Sequence, residues 1–526
     1  MKKHGGLFGF IKRQFESPEE AMGFRFRLRN SGTYDVSGDK ERLPSEVVIP
    51  SVYKGMYVSY INREGFADCT QITKVTIPES VLGIFDKAFF GCTSLTEITL
   101  HHRIRSVYGN IVPYCPNLTS ITVSPENERY FSAGNCLINR ETGELQAGCG
   151  TSVIPNDGSV RSIGRDAFLG AARLTHVEIP ESVTKVGFDA FEDCTGLPFT
   201  VYENGRYLGN PKNPHYALIG AVSKDITSCK IHPDTRVIAD FAFSHINGLT
   251  EIEIPDSVVT VGDYAFSGCS SLTRVTVGNG ALNIGGKSFD CDQISFTVYE
   301  NGRYLGNPSN PHYALIGAVS EDITSCTIHP DTRVIADEAF RNCVGLARIA
   351  FPAGLTSIGD SVFEGCSRLA SVVILDGVTR IGYAAFRDCT ALTSMIIPSG
   401  VTSIETSTFN GCTSLRSVTI PDSVTCIESS AFWGCSSLTS VTVGNGVARI
   451  EESAFSGCKS LTSLALPEAL SYVGDCLFMC CSSLEDVSFR GTRAAWSSVR
   501  LHPRWKGDTS PFKVVHCTDG DVEVWA

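Results

Sequence analysis

The sequence predicts a β-rich α/β chain folded as a right-handed leucine-rich solenoid of about 15 turns, carrying β-hairpin inserts and terminal caps. Three observations predict it. A leucine recurs every 23 residues without a slip, at Leu346, Leu369, Leu392, Leu415, Leu438, Leu461 and Leu484. A cysteine keeps step three residues earlier, from Cys343 and Cys366 to Cys458 and Cys481. A phenylalanine marks one further position from Phe66 and Phe89 through to Phe478, with Val112 substituting once. A fixed period in this range means that each unit buries its apolar face only against its neighbours.

Taken in chain order, residues 1–21 read as a tail. Within it, Met1–Phe15 has an apolar stretch that Lys12-Arg13 interrupts, too short and without a small-residue cleavage site, so no conventional secretion signal is expected. Residues 22–60, with Thr33-Tyr34-Asp35-Val36 and Val47-Val48-Ile49-Pro50, read as an N-terminal cap. The solenoid then runs over 61–489.

Residues 415–437 show the unit. Val418-Thr419-Ile420 alternate as a short strand with Val and Ile inward. Pro421 stops it, because proline cannot donate to a ladder. Val424 and Ile427 form a second extended piece. Glu428-Ser429-Ser430-Ala431-Phe432, or Gly262-Asp263-Tyr264-Ala265-Phe266, suits the first turn of a very short helix, and Gly434 suits its left-handed exit.

The period breaks at inserts near 124–155, 199–225 and 296–322. Residues 199–243 and 296–340 are near copies that differ only at Lys212/Ser309, Lys224/Glu321, Lys230/Thr327 and Phe241/Glu338. Each reads as a hairpin around Asn-Gly. The first insert reads as a hairpin around Arg140-Glu141-Thr142-Gly143. Residues 490–526, with Trp496, Trp505 and His516-Cys517-Thr518-Asp519-Gly520, leave the repeat and read as the C-terminal cap, since an open end exposes strand edges.

The unit Leu-Thr-Ser-Val-Thr-Ile-Pro-x-Ser-Val-Thr-x-Ile-Gly-x-x-Ala-Phe-x-Gly-Cys-x-Ser resembles the BspA-like leucine-rich repeat family, over nearly everything from Thr33 to Asp521. That family is found on surface proteins of mouth and gut anaerobes and in some parasitic protists. The resemblance implies a non-catalytic module that presents an extended surface to host or bacterial macromolecules, and it implies export to the cell surface. The readings that compete with it are an intracellular scaffold and a structural spacer.

Bulk chemistry narrows the function. A formal net charge of −12 argues against nucleic acid, which needs clustered Lys and Arg. No run of 18 apolar residues offers a transmembrane helix. The sequence contains no phosphate loop, no His-Glu-x-x-His and no nucleophile elbow, so no enzyme, cofactor or metal is expected. Thirteen of the 21 cysteines occupy the repeat slot. Stacked turns place them in a straight row about 4.8 Å apart, which fits neither a twisted disulfide nor a zinc tetrahedron. Ala171 and Ile246 fill the same slot, so small buried thiols are the reading. Pairing is left open for Cys136 with Cys149 and within Cys476, Cys480 and Cys481. His215 and His312 in the duplicated inserts, and His232 and His329 in the adjoining His-Pro-Asp-Thr turns, read as structural turn residues.

The outward residue of each strand is Thr in most turns, including Thr76, Thr99, Thr122, Thr419 and Thr442. Three consecutive turns carry Ala350, Val373 and Ile396 instead. Contiguous exposed apolar residues mark contact sites, so these three are the candidate contact for a protein or glycoprotein ligand.

Overall fold

The computed structural model describes residues 17–507 and 509–524. The stretch Met1–Phe15 lies outside them. The chain divides into two compact units, one ending at Ser223 and including Asp234–Ala242, the other comprising Lys224–Pro233 and everything from Phe243.

Each unit is a stack of β-coils. Among the described residues the helices are two short pieces, Pro18–Ala21 and Arg493–Ser497. The outward strands pair in parallel, one 23-residue step apart. Thus Ser394–Ile396 lies beside Ser417–Thr419, and that strand beside Ser440–Thr442, with Val418 opposite Val441. A second ladder of two-residue strands, such as Cys426–Ile427, Arg449–Ile450 and Tyr472–Val473, runs along another side of the same coils. Longer hairpin strands also occupy places on this second ladder, which raises the expected 15 turns to about 20.

The expected helical turn before each Ala-Phe is absent. Ser429 to Gly434 form successive turns, with Ser430 in the left-handed region at φ 57°. Ser453 and Ala384 repeat this at φ 56° and 49°. The cause is a third set of inter-coil bonds. The N–H groups of Ser430, Phe432 and Gly434 donate to the carbonyls of Glu452, Ala454 and Ser456 in the next coil, at 2.8–2.9 Å. A helix would aim those groups along its own axis. The glycine exit stands as expected: Gly434 has φ 71° with open space around it.

Between the ladders the phenylalanines stack. From Phe340 to Phe455 successive rings lie 5.2–5.6 Å apart and within 18° of parallel. In the first unit Phe66 stacks on Phe89 at 5.4 Å and Phe168 on Phe191 at 5.1 Å. Beside them the repeat leucines, from Leu346 to Leu484, are fully buried.

The inserts are hairpins. The first is Tyr130–Ala133, Cys136–Asn139 and Glu144–Ala147, consecutive and antiparallel. The second is Thr200–Tyr202, Gly205–Asn210 and Asn213–Ala221. Its first turn uses Glu203 and Asn204 at φ 43° and 70°, the double left-handed geometry that tight hairpins favour. The third repeats the second at Thr297–Tyr299, Gly302–Asn307 and Asn310–Ala318. Each long strand then rejoins the coil by taking a place on the second ladder, as Ala217 and Leu218 do beside Val237 and Ile238.

At the C-terminal end Asp486–Phe489 pairs with Val514–Cys517, which turns back onto Gly520–Glu523. Trp505 meets Phe478 edge-on at 6.2 Å and closes the ring stack. At the other end, the Phe24–Leu28 strand places Phe24 against Phe66 at 6.5 Å.

Candidate functional site

The cysteine row is internal machinery. All 21 cysteines are free thiols in the structure, Cys136, Cys149, Cys476, Cys480 and Cys481 included. Eleven of the thirteen repeat cysteines donate their S–H to a phenylalanine carbonyl of the preceding coil, at 2.9–3.3 Å. Cys412 reaches the Phe386 carbonyl in this way, and Cys435 that of Phe409. The slot therefore holds a small donor that adds a second bond to a buried carbonyl already accepting a backbone N–H, as the Phe386 carbonyl accepts that of Cys389 at 3.2 Å, where the sequence suggested only a small hydrophobe. Burial pushes the Cys435 thiol up to about 12 and that of Cys412 well above its usual range. A thiol held protonated is a poor nucleophile.

His312 of the third insert is packed against the adjoining His329. The His312 and His329 rings stack at 3.7 Å, and Tyr299 meets His329 edge-on at 4.8 Å. Burial and the neighbouring His329 hold His312 below its ordinary value. Among the described residues no group of three or more His, Cys, Asp or Glu side chains is placed to hold a metal ion. A cavity of about 590 Å³ beside the third insert is lined by charges of both signs, including Lys287, Arg303, Asp290 and Glu338.

The outward row lies at the surface. Thr76, Thr99, Thr122, Thr419 and Thr442 are exposed, as are Ala350, Val373 and Ile396. Thr99 and Thr122 share a hydrogen bond between hydroxyls at 2.8 Å, and Lys74 pairs with Glu97 across neighbouring coils at 2.9 Å. Against this polar row Val373 is 72% exposed and Ile396 74%. Arg348–Ala350 and Ser394–Ile396 are strands, each paired on its far side. Residues 371–374, between them in sequence, form no strand and make no backbone hydrogen bond to either. Val372 and Ile374 stay buried, so the coil keeps its inward side while its outward edge is unpaired.

One outward residue escaped the sequence reading. Val153 precedes Ile154-Pro155 just as Glu178 precedes Ile179-Pro180, and it is 69% exposed. Matching the two Ile-Pro steps reveals it. The insert beforehand hides the match, because it removes the leucine that normally sets the frame.

Among the described residues no helix is long and apolar enough to cross a membrane. No curated protein matches the chain. Solved structures similar to it include a leucine-rich repeat protein from Bacteroides ovatus, 20% identical over 93% of this chain and 98% of that one, with a TM-score of 0.29. A leucine rich cell surface protein from Faecalibacterium prausnitzii is 20% identical over 91% and 96%, with a TM-score of 0.26. The pneumococcal vaccine antigen PcpA is 16% identical over 92% and 95%, with a TM-score of 0.27. The model of the BspA type leucine rich repeat region matches residues 49–138, 147–209, 221–308, 318–438 and 379–497. That match takes in most of the repeating coils just described, and the chain belongs to the BspA-type leucine-rich repeat family.

Proposed function

We propose that this chain is a non-catalytic adhesion module that binds protein or glycoprotein ligands on host or bacterial surfaces. The family's repeat is a scaffold consistent with protein binding. The observation that carries the reading is the outward row. Two large aliphatics on successive coils stand more than two-thirds exposed, in a row where most outward positions carry hydroxyls or charges. Burying both against a partner removes two large apolar side chains from water, worth about 3–5 kcal/mol together. Ala350 beside them has no bulk to obstruct such a contact.

The adhesion test uses the purified chain and a panel of purified host matrix proteins, with sedimentation equilibrium for self-association. Val373→Glu combined with Ile396→Glu is expected to abolish any saturable binding. Unchanged binding and unchanged self-association in this double variant would remove the strip from consideration. Brief protease treatment of intact native cells tests the setting. Release of peptides around Asn210–Tyr216, with cytoplasmic markers retained, supports surface display, and full protection opposes it.

A further inference from the structure

A second place on the outward side departs from the repeat, and it lies within the first unit. The stretches 152–155 and 177–180 occupy equivalent positions of adjacent coils, each ending in Ile-Pro. On their other sides these coils are closed. Phe168 stacks on Phe191 at 5.1 Å, and Ser162 and Ile163 pair with Lys185 and Val186. On the outward side they part. Neither stretch is a strand, no backbone hydrogen bond joins them, and a cavity of about 330 Å³ opens between residues 152–156 and 176–180.

The two walls are braced from outside by different inserts. The Val153 N–H donates to the Gly134 carbonyl of the first insert at 2.8 Å. The Ile179 N–H donates to the Gly209 carbonyl of the second at 2.8 Å, and the Asn210 amide donates to the Ile179 carbonyl at 3.0 Å. An extended chain turns successive peptide groups to opposite sides. Ile154 on one wall, and His176 and Glu178 on the other, therefore turn their peptide groups toward the gap. None of these three N–H groups or carbonyls has a hydrogen-bond partner in the structure. The floor is apolar, with Ile154, Val177 and Ile179 buried. A further cavity of about 200 Å³ borders the wall 176–178 on its hairpin side, leaving that wall room to adjust.

We propose that this slot receives an extended peptide segment of a partner protein, added as a strand between the two coils. A peptide backbone carries donors and acceptors on both edges, so one added strand can satisfy both rows together. An apolar small molecule fills the volume and leaves both rows unpaired. The neighbouring strand Ser120–Val123 shows the side-chain pattern that such a position takes, apolar inward and hydroxyl outward.

The test is amide hydrogen exchange on the full chain with the capped peptide acetyl-Ser-Ile-Thr-Val-Ser-amide. The same peptide N-methylated at Ile and Val, and so lacking donors on one edge, is the control. The plain peptide is expected to slow exchange at Ile154 and Glu178 about tenfold or more. The methylated peptide is expected to bind at least about tenfold more weakly. Glu178→Pro, which deletes one wall donor, should weaken the plain peptide to a similar extent, whereas Glu178→Ala should not. Unchanged exchange at both residues would overturn the proposal. Equal binding of the methylated peptide would also overturn it, identifying the slot as an apolar small-molecule pocket. If Glu178→Pro does not fold, the comparison of the two peptides on the native chain decides.

Discussion

The inward and outward sides of the same coils follow different rules. Inside, every coil from Phe340 to Phe455 repeats one arrangement: ring on ring, buried leucine, and from Cys366 on a thiol on the carbonyl of the preceding coil. Outside, the ladder is continuous through Ser394–Ile396, Ser417–Thr419 and Ser440–Thr442 but is lost at 371–374 and at 176–178. The Phe363–Phe386 and Phe168–Phe191 contacts behind those two breaks remain closely stacked. The inner columns and the neighbouring ladder thus hold a coil in place where its outward edge is unpaired.

The comparison breaks most visibly if the inner column is opened. Phe409 is fully buried between Phe386 at 5.6 Å and Phe432 at 5.3 Å. Phe409→Ala is expected to cost about 3–5 kcal/mol, because adjacent coils cannot collapse into the space without breaking their ladders. Urea unfolding followed by far-ultraviolet dichroism measures it. A loss under about 1 kcal/mol would mean that the outward ladder, not the ring stack, carries the coil.

Next in size is the thiol row. If Cys412 acts as a second donor to the Phe386 carbonyl beside the Cys389 N–H, Cys412→Ala removes one of two bonds and should cost about 0.5–1.5 kcal/mol. Cys412→Ser restores a donor and should cost less. The reverse order would return the slot to a purely hydrophobic role. In the native chain a thiol reagent should label the exposed Cys480 well before Cys412.

These two cases show where the sequence was legible. The period of Leu346 to Leu484 and the marker phenylalanines declare the inner columns, because burial leaves few residues interchangeable there. The hairpins were equally plain from their Asn-Gly signal, although the left-handed residues are Glu203 and Asn204 in the second insert and Glu300 in the third, one place earlier than Asn-Gly suggests. The turn at Ser430 was misread as helical because acidic and small residues suit a helix start and a left-handed turn alike. What decides between them is a bond to Glu452, 22 residues ahead, which no local pattern records. The thiol donors and the slot at Val153 were hidden for the same reason, since both depend on what the adjacent coil presents. Ala350, Val373 and Ile396 were readable as an outward row because their position in the strand is set by the inward Val and Ile on either side.

A smaller effect comes from Asp189, half-buried at a left-handed turn of the first unit. Burial, then Glu192 and Asp166, raises its carboxyl from 3.8 to about 6. An acid whose folded value is raised favours the folded state while protonated. Its contribution therefore declines as pH climbs from about 3.8 through 6, and the full penalty is present at pH 7. Asp189→Asn should raise the melting temperature at pH 7 and leave it nearly unchanged at pH 3.5. Solvent screening of the half-exposed group keeps the gain below about 1 kcal/mol. Aspartate and asparagine both tolerate φ 53°, so the difference between the two pH values isolates the charge. An equal gain at both would assign it to the backbone.

The smallest expected effect is the most informative about the outward row. Val373→Thr with Ile396→Thr restores the hydroxyl face that other coils carry. At 72% and 74% exposure neither side chain has much burial to lose, and threonine suits a strand as well as valine or isoleucine. The urea midpoint should move by less than about 0.5 kcal/mol. Folding then gives no reason for two large aliphatics to stand where threonine serves elsewhere, and a contact with something outside the chain is the remaining use. A loss above about 1 kcal/mol would reverse that logic. Residues 371–374 lack backbone bonds to either neighbour, and the two side chains would then be holding the unpaired edge in place instead of advertising it.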